Sequence, residues 1–226
     1  MKNMNHSSSR AKIMAQIESE KLVAIVRAKR ENTVDNTVSC LVEGGVRVLE
    51  ITSNTPGYCR QISLLRDSFP DVLVGAGTII DGERARAAID AGAQYLVTPN
   101  VSSKVVATAH KHNIPVLMGA LTPTEIANAL HCQADAIKLF PAGDMGIEYC
   151  KSLLGPYEDM PLFAVGGIHF ENVLEWLEIG ISGVGIGNAL TAPVTNKAEA
   201  KRLADMARQL VQRIEHYKDN VKREKG

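Results

Sequence analysis

The amino-acid sequence predicts an α/β fold, a single (β/α)8 TIM barrel preceded by an N-terminal helix. Short β-rich segments alternate with longer helical segments, which is typical of βα units in a parallel sheet. Eight such units follow one another, and a helix–glycine–strand junction recurs weakly at 43–45, 90–93 and 178–181. An open doubly wound sheet is the alternative, but no G-x-G-x-x-G motif follows the first strand.

A chain of 226 residues is long enough for one large domain or two small ones. No linker and no shift in composition divides it. We therefore expect one domain over 1–226, with flexible ends at 1–9 and 218–226.

The N-terminal helix is predicted at 10–20, and four strand–helix units follow it. Glycine or proline ends several of these elements, at Gly44-Gly45, Pro70, Gly92 and Pro99. The predicted strands of this half are 22–27, 46–52, 72–75 and 95–98. The helices after them are 32–43, 57–68, 81–91 and 102–112.

The second half begins with a strand at 115–118 and contains the clearest helix start. Thr122-Pro123-Thr124-Glu125 is a capping box with proline at the first helical position. The remaining strands are predicted at 136–140, 162–165 and 183–186. The remaining helices are predicted at 146–154, 171–178 and 197–217.

The composition is that of an ordinary globular protein and argues against several classes. Apolar residues make up 45% of the chain and its net charge is zero, so neither nucleic acid nor an anionic membrane is an expected partner. No apolar run suits a membrane span, and residues 1–10 lack the apolar core of a secretory signal. The four cysteines and six histidines lack metal-ligand spacing, so we expect free thiols in a reducing cytoplasm, no metal and no cofactor.

Lys138 lies near the end of the sixth predicted strand among apolar neighbours. The alternation of side chains places it on one face with Ala136 and Phe140. Burial disfavours the charged form of an amine, and a neutral amine attacks carbonyl groups, so we hypothesise that Lys138 forms a Schiff base. The alternative is a lysine that extends to the strand end and pairs with Asp135 or Asp144.

Glu50 is the corresponding ionisable residue of the second strand. It shares a face with Thr52, whereas Leu49 and Ile51 point the other way. If both strands turn their larger aliphatic residues towards the helices, Glu50 and Lys138 converge in the barrel mouth. A glutamate there can move protons during Schiff-base chemistry. The alternative is a structural ion pair that closes the barrel top.

The carboxyl ends of the last two strands are rich in glycine, at the end of a barrel that carries its active site. Backbone NH groups of Gly166, Gly167 and Gly187 are candidates for phosphate binding, and Asn188 adds a side-chain donor. The alternative is that these glycines only form βα turns.

Other strand ends supply candidate contacts for a substrate carboxylate. Thr78 offers a hydroxyl and Arg27 a bidentate cation. Thr78 could equally cap the next helix, and Arg27 could be a solvated surface residue. Thr52 and Asn54, at the end of the second strand, complete the set.

Several motifs occur together in an order and spacing that are highly specific. They are GGVRVLEIT at 44–52, VGAGT at 74–78, TP at 98–99, KLFPA at 138–142 and VGGI at 165–168. Over 22–193 the chain resembles the family of 2-keto-3-deoxy-6-phosphogluconate / 4-hydroxy-2-oxoglutarate aldolases.

This resemblance implies a trimeric (β/α)8 class I aldolase that needs no metal. Lys138 resembles the Schiff-base lysine and Glu50 the general acid/base. The other matching positions resemble substrate contacts: for the carboxylate Thr78, for the pocket wall Pro99 and Phe140, and for the phosphate Gly166, Gly167 and Gly187.

Two positions depart from the family pattern. Many members read Glu-X-Thr-X-Arg-Thr after the second strand, and Asn54 stands where the arginine is expected. Asn54 followed by Pro56 resembles the 2-keto-3-deoxy-6-phosphogalactonate aldolase branch. Asn188 stands where members often carry serine. Both changes bear on the choice of substrate, and Arg27 could supply the missing charge.

The expected function is cleavage of 2-keto-3-deoxy-6-phosphogluconate, 4-hydroxy-2-oxoglutarate or both, to pyruvate and an aldehyde such as glyceraldehyde 3-phosphate. The alternatives are a 2-keto-3-deoxy-6-phosphogalactonate aldolase, a metal-free phosphosugar epimerase with Glu50 as base, and a non-catalytic sugar-acid-binding protein. We expect a cytoplasmic homotrimer whose ligand is a small, phosphorylated keto acid.

Overall fold

Eight parallel strands close into a barrel in the order of the chain, and the last strand pairs with the first. The computed structural model describes residues 9–157 and 159–224. The predicted barrel with an N-terminal helix is confirmed. The strands are Leu22–Val26 (β1), Val48–Thr52 (β2), Leu73–Gly77 (β3), Leu96–Val97 (β4), Val116–Ala120 (β5), Ala136–Leu139 (β6), Leu162–Val165 (β7) and Gly183–Ile186 (β8).

The helices lie between the strands, apart from α1, which precedes the barrel, and α10, which follows β8. They are Ser9–Glu20 (α1), Val34–Glu43 (α2), Tyr58–Ser68 (α3), Gly82–Asp90 (α4), Ser103–His110 (α5), Pro123–His131 (α6), Ala142–Met145 (α7), Ile147–Leu154 (α8), Val173–Glu178 (α9) and Lys197–Glu224 (α10). No helix within the described residues is long and apolar enough to cross a membrane.

The capping box at the start of α6 is formed as predicted. The Thr122 hydroxyl accepts a hydrogen bond from the Glu125 NH at 3.3 Å, and the Glu125 carboxylate accepts one from the Thr122 NH at 2.8 Å. Both groups satisfy NH donors that a helix start otherwise leaves without partners.

Two strands extend beyond their predicted ends. β3 continues to Gly77 rather than residue 75, and β5 continues to Ala120 rather than residue 118. Gly77 pairs with Thr52 and Ala120 pairs with Leu139, so neighbouring strands extend segments that have little strand preference of their own.

Two helical segments also differ from prediction. The short helix α7 was not predicted; it directly follows the β6 loop and precedes α8. Helix α10 continues to Glu224, so 218–224 is helical where a frayed end was expected. Residues 1–8 and 225–226 of the expected flexible ends lie outside the described residues.

The apolar core consists of two clusters, one inside the barrel and one between the barrel and its helices. Val48 and Ala136 belong to the inner cluster, whereas Leu49 and Ile137 belong to the outer one. The predicted alternation along β2 and β6 is therefore confirmed, and the same parity directs Glu50 and Lys138 inwards.

Helix α1 covers the amino-terminal end of the barrel. Its Met14 and Ile17 are part of the inner apolar cluster. Arg10 of α1 forms an ion pair with Asp135 at 3.0 Å, and His110 bonds the other oxygen of this carboxylate at 2.8 Å. Apolar side chains of α1 thus fill this end of the barrel, and an ion pair fixes the helix there. The carboxyl ends of the strands form the open end.

Candidate active site

Lys138 and Glu50 are both buried, with 7% and 2% of their surfaces exposed. Lys138 pairs with Gly119 on one side and Phe163 on the other, and Glu50 pairs with Gly75. The two ionisable side chains line one small cavity of about 10 Å³. The remaining lining residues are Val23, Val97, Leu117, Phe163, Val165 and Gly185. A space of this size holds about one water molecule.

The environment of Glu50 favours its protonated form. Burial raises the pKa of its carboxyl above the ordinary value of 4.5, and the positive charges of Lys138 and Arg27 only partly oppose this rise. Its Oε1 atom is buried and has no hydrogen-bond partner among the described residues. A buried carboxyl group with a raised pKa is a candidate proton donor and acceptor.

Two glycines of β3 make room for the groups that surround this centre. A Cβ on Gly77 would overlap the carboxyl group of Glu50, and a Cβ on Gly75 would overlap the ring of Tyr95. The glycines are thus required by close approach rather than by backbone conformation.

Tyr95 is a buried neighbour of Glu50 that sequence reasoning did not single out. Its hydroxyl donates a hydrogen bond to the carbonyl of Leu49 at 2.8 Å. Burial, and secondly the charge of Glu50, raise the pKa of Tyr95 well above its ordinary value, so it stays a neutral donor. Tyr95 lies two residues before Val97, and alternate residues of a strand share a face. This alternation could have identified Tyr95 as an inward-facing residue.

Phe140 lies beside the amine of Lys138 at the open end. The Lys138 Nζ is 5.3 Å from the centre of the ring, and 41% of the Phe140 surface is exposed. The predicted alternative in which Lys138 pairs with Asp135 is wrong, because Asp135 holds Arg10 and His110 at the opposite end of the barrel.

Thr78 directly follows β3 and is half-buried at the barrel mouth. Its φ of 58° lies in the left-handed region, which is strained for a β-branched residue. The alternative that Thr78 caps the next helix is wrong, because Asp81 accepts the hydrogen bond from the Arg84 NH at the start of α4. Ser53 donates its hydroxyl to the Thr78 carbonyl at 2.7 Å.

The remaining candidates near β1 and β2 occupy different environments. Arg27 is exposed, yet its charge acts on Glu50, so it lies within electrostatic reach of the centre. Asn54 is exposed at the apex of its loop. Thr52 is fully buried, and its hydroxyl is engaged with the Val26 carbonyl at 3.4 Å and with Thr55 at 3.2 Å.

The glycines after β7 adopt left-handed conformations, with φ of 92° at Gly166 and 75° at Gly167. The Gly166 carbonyl accepts a hydrogen bond from the Gly143 NH at 2.8 Å, so the loops after β6 and β7 are joined. Sequence reasoning did not single out Gly143, which belongs to α7.

The loops after β4 and β8 complete the mouth. Pro99 is half-buried, and its backbone occupies the space that a Cβ on Gly119 would need. Gly187 is half-buried and Asn188 is exposed. Thr191 donates its hydroxyl to the Ile25 carbonyl at 2.9 Å and thereby ties the last loop to β1.

Metal ligands are not assembled in the part of the chain that the structure describes. No group of three or more histidine, cysteine, aspartate or glutamate side chains there is placed to hold an ion.

Comparison with known proteins identifies the family. The family model described as "KDPG and KHG aldolase" matches residues 13–206. The chain belongs to this aldolase family. It is 34% identical to the 2-dehydro-3-deoxy-6-phosphogalactonate aldolase of Escherichia coli K12 over 75% of this chain and 83% of that protein.

Two further similar proteins are also named as aldolases, and one of them is a solved structure with a covalent intermediate. The 2-dehydro-3-deoxy-phosphogluconate aldolase of Treponema pallidum is 33% identical over 73% of this chain and 79% of its own. The KDPG aldolase of Legionella pneumophila, solved with pyruvate captured as a covalent carbinolamine intermediate, has a TM-score of 0.75 and 26% identity, covering 91% of this chain and 97% of that one.

In this aldolase-family protein, Gly77→Ala should lower the free energy of unfolding by about 1–3 kcal/mol, because the new methyl group overlaps the Glu50 carboxyl group. Urea titrations would measure the loss. Gly155→Ala is the matched control, because a Cβ there meets no atom within 4 Å. The loss should shrink when Gly77→Ala is made in a Glu50→Ala background; an equal loss in both backgrounds would refute the packing argument.

The stability of Glu50→Gln relative to wild type should depend on pH. In wild type, the stabilisation from protonated Glu50 is complete below pH 4.5 and is lost as pH rises towards the higher pKa of the folded state, whereas glutamine does not titrate. The variant should therefore gain relative stability as pH rises. Unfolding at several pH values from 4 to 8 would measure this, with the exposed Glu178→Gln as control. A pH-independent difference would contradict it.

Proposed function

We propose that this protein is a class I aldolase that cleaves a 6-phosphorylated 2-keto-3-deoxy sugar acid to pyruvate and an aldehyde. The observation that supports this most is the burial of Lys138 and Glu50 around one small cavity at the open half of a barrel. Membership in the KDPG and KHG aldolase family also supports an aldol cleavage.

In the proposed mechanism, Lys138 attacks the C2 ketone and forms a carbinolamine. Protonated Glu50 gives its proton to the carbinolamine hydroxyl, which leaves as water, so that an iminium ion and the Glu50 carboxylate are formed. The Glu50 carboxylate then takes the proton of the C4 hydroxyl as the C3–C4 bond breaks. The electron pair of that bond flows into the iminium, which leaves an enamine and releases the aldehyde. Protonation of C3 by Glu50 and hydrolysis then release pyruvate and restore the amine.

The raised pKa of Glu50 suits both directions of this proton transfer. The 10 Å³ cavity between Glu50 and Lys138 suits a single water that relays protons or hydrolyses the iminium ion. The ring of Phe140, 5.3 Å from the amine, forms an apolar wall beside the C3 methylene.

The substrate is proposed to lie across the mouth with its carboxylate towards β1 and β3. Thr78 and Arg27 would hold the carboxylate, and Pro99 would complete the wall around the pyruvyl unit. The distal phosphate would bind at the glycine-rich end of the mouth, which comprises Gly166, Gly167, Gly187 and Asn188. Left-handed glycines at 166 and 167 support this, since such turns direct successive NH groups towards an anion.

Two substrates that differ in configuration at C4 are the leading candidates. The Escherichia coli relative is named for the phosphogalactonate compound, and the Treponema pallidum relative for the phosphogluconate compound. Asn54 followed by Pro56 favours the phosphogalactonate branch, because the arginine typical of many other members is missing. 4-Hydroxy-2-oxoglutarate is a further candidate through the family description.

Borohydride reduction in the presence of pyruvate should attach a pyruvyl group to Lys138, since the hydride fixes the iminium ion as a stable amine. Peptide mass mapping would locate the adduct. Lys138→Ala and Lys138→Arg should abolish both labelling and turnover, whereas Lys151→Ala, which removes an exposed lysine, should abolish neither. Full activity of the Lys138→Ala protein would refute the mechanism.

Turnover with the two phosphorylated epimers and with their unphosphorylated forms would then assign the substrate. Binding of these compounds without pyruvate release would instead favour a non-catalytic sugar-acid-binding protein, and interconversion of epimers without cleavage would favour an epimerase.

We further propose that the protein acts in the cytoplasm as a homotrimer of single-domain chains. The family resemblance supports the trimer, which sedimentation equilibrium should detect as a mass of about three times 24.4 kDa. The mass of a monomer or dimer at micromolar concentration would contradict it.

A further inference from the structure

The loop after β2 is anchored on both sides of its exposed apex. On one side, the backbone NH of Ser53 donates to the Gly77 carbonyl at 2.8 Å, and the Ser53 hydroxyl donates to the Thr78 carbonyl at 2.7 Å. On the other side, the Thr55 hydroxyl accepts a hydrogen bond from the Ala28 NH at 3.1 Å. The segment from Ser53 to Thr55 therefore bridges the ends of β1 and β3.

The two Ser53 bonds hold the chain where it enters an unfavourable conformation. Gly77 is the last residue of β3, and Thr78 immediately after it has a φ of 58°. A β-branched residue adopts this conformation only when its surroundings impose it. The Ser53 hydroxyl donates a hydrogen bond to the carbonyl of Thr78. The next backbone NH, that of Ile79, donates to the Val97 carbonyl at 3.1 Å.

The same bonds also bear on the buried centre. The Gly77 carbonyl that Ser53 binds belongs to the residue whose lack of a side chain makes room for Glu50. A shift of the end of β3 would therefore move Thr78 and close the space that Glu50 occupies.

We propose that Ser53 is a positioning residue that holds Thr78 in its strained conformation, so that Thr78 meets the carboxylate of the keto acid. This inference rests on the proposed function, in which Thr78 binds that carboxylate. Ser53 touches neither the substrate nor the reacting atoms in this scheme. It sets the affinity for the carboxylate through the backbone of Thr78.

Borohydride trapping with two ketones tests this role. In Ser53→Ala, the pyruvate concentration that gives half-maximal labelling of Lys138 should rise roughly three- to tenfold, as expected for the loss of one hydrogen bond. Hydroxyacetone is a ketone without a carboxylate, and the hydroxyacetone concentration that gives half-maximal labelling of Lys138 should stay unchanged. An equal rise for both ketones would show that Ser53 only maintains the general structure and would overturn the proposal.

Further variants test whether the effect depends on the Ser53 hydroxyl and acts through Thr78. Ser53→Thr keeps the hydroxyl and should restore the affinity for pyruvate. Ser152→Ala removes an exposed hydroxyl that donates to the Glu148 carbonyl at 2.9 Å, and should change neither ketone's labelling. In a Thr78→Val background, Ser53→Ala should add little to the loss that Thr78→Val itself causes; full additivity would contradict a role that acts through Thr78.

The outcomes separate this inference from the proposed function. Labelling of Lys138 in wild type with unchanged pyruvate affinity in Ser53→Ala would overturn the role of Ser53 and leave the aldolase proposal intact. Absence of wild-type labelling would overturn both. Should Ser53→Ala fail to fold, Ser53→Cys keeps the volume with a weaker donor and should show the same selective loss for pyruvate.

Discussion

The structure depends on the burial of two ionisable side chains, Glu50 and Lys138, inside an otherwise apolar barrel. Removing a carboxylate or an ammonium group from water costs several kcal/mol, and a neighbouring opposite charge offsets only part of that cost. Two features accommodate this pair. Gly77 of the neighbouring strand β3 leaves space for the carboxyl group, and the larger aliphatic residues of β2 and β6 face the helices, namely Leu49, Ile51, Ile137 and Leu139. The same burial raises the pKa of Glu50.

The two ends of the barrel divide stability and chemistry between them, as is general for this fold. At the amino-terminal end, α1 inserts Met14 and Ile17 into the inner cluster, and Asp135 pins the helix through Arg10. At the other end, hydrogen bonds join the loops to one another and to the ends of the strands. The loop after β2 bridges β1 and β3, and the loop after β7 is joined to the loop after β6. The mouth is thus assembled from linked loops on a rigid base.

Sequence reasoning anticipated features that depend on local pattern. The alternation of β2 and β6 was sufficient to direct Glu50 and Lys138 inwards, and the capping box of α6 is specified by four adjacent residues. Features that depend on distant partners were missed. Pairing with Leu139 extends β5 to Ala120, although alanine has little preference for strands. The role of Ser53 becomes visible only when the end of β3 lies beside it, because a serine after a strand is common in any loop.

The presence of Asn54, where the family resemblance leads one to expect an arginine, can be understood from the same loop. Asn54 lies exposed between Ser53 and Thr55, whose bonds to β3 and β1 do not involve its side chain. The charge at the apex can therefore change while the positions of Thr78 and Arg27 are kept. Under the proposed function, substrate preference and Schiff-base chemistry are assigned to separate groups. Exposed polar residues at the mouth would face the variable part of the sugar acid, and the buried pair would act on the keto group that all candidate substrates share.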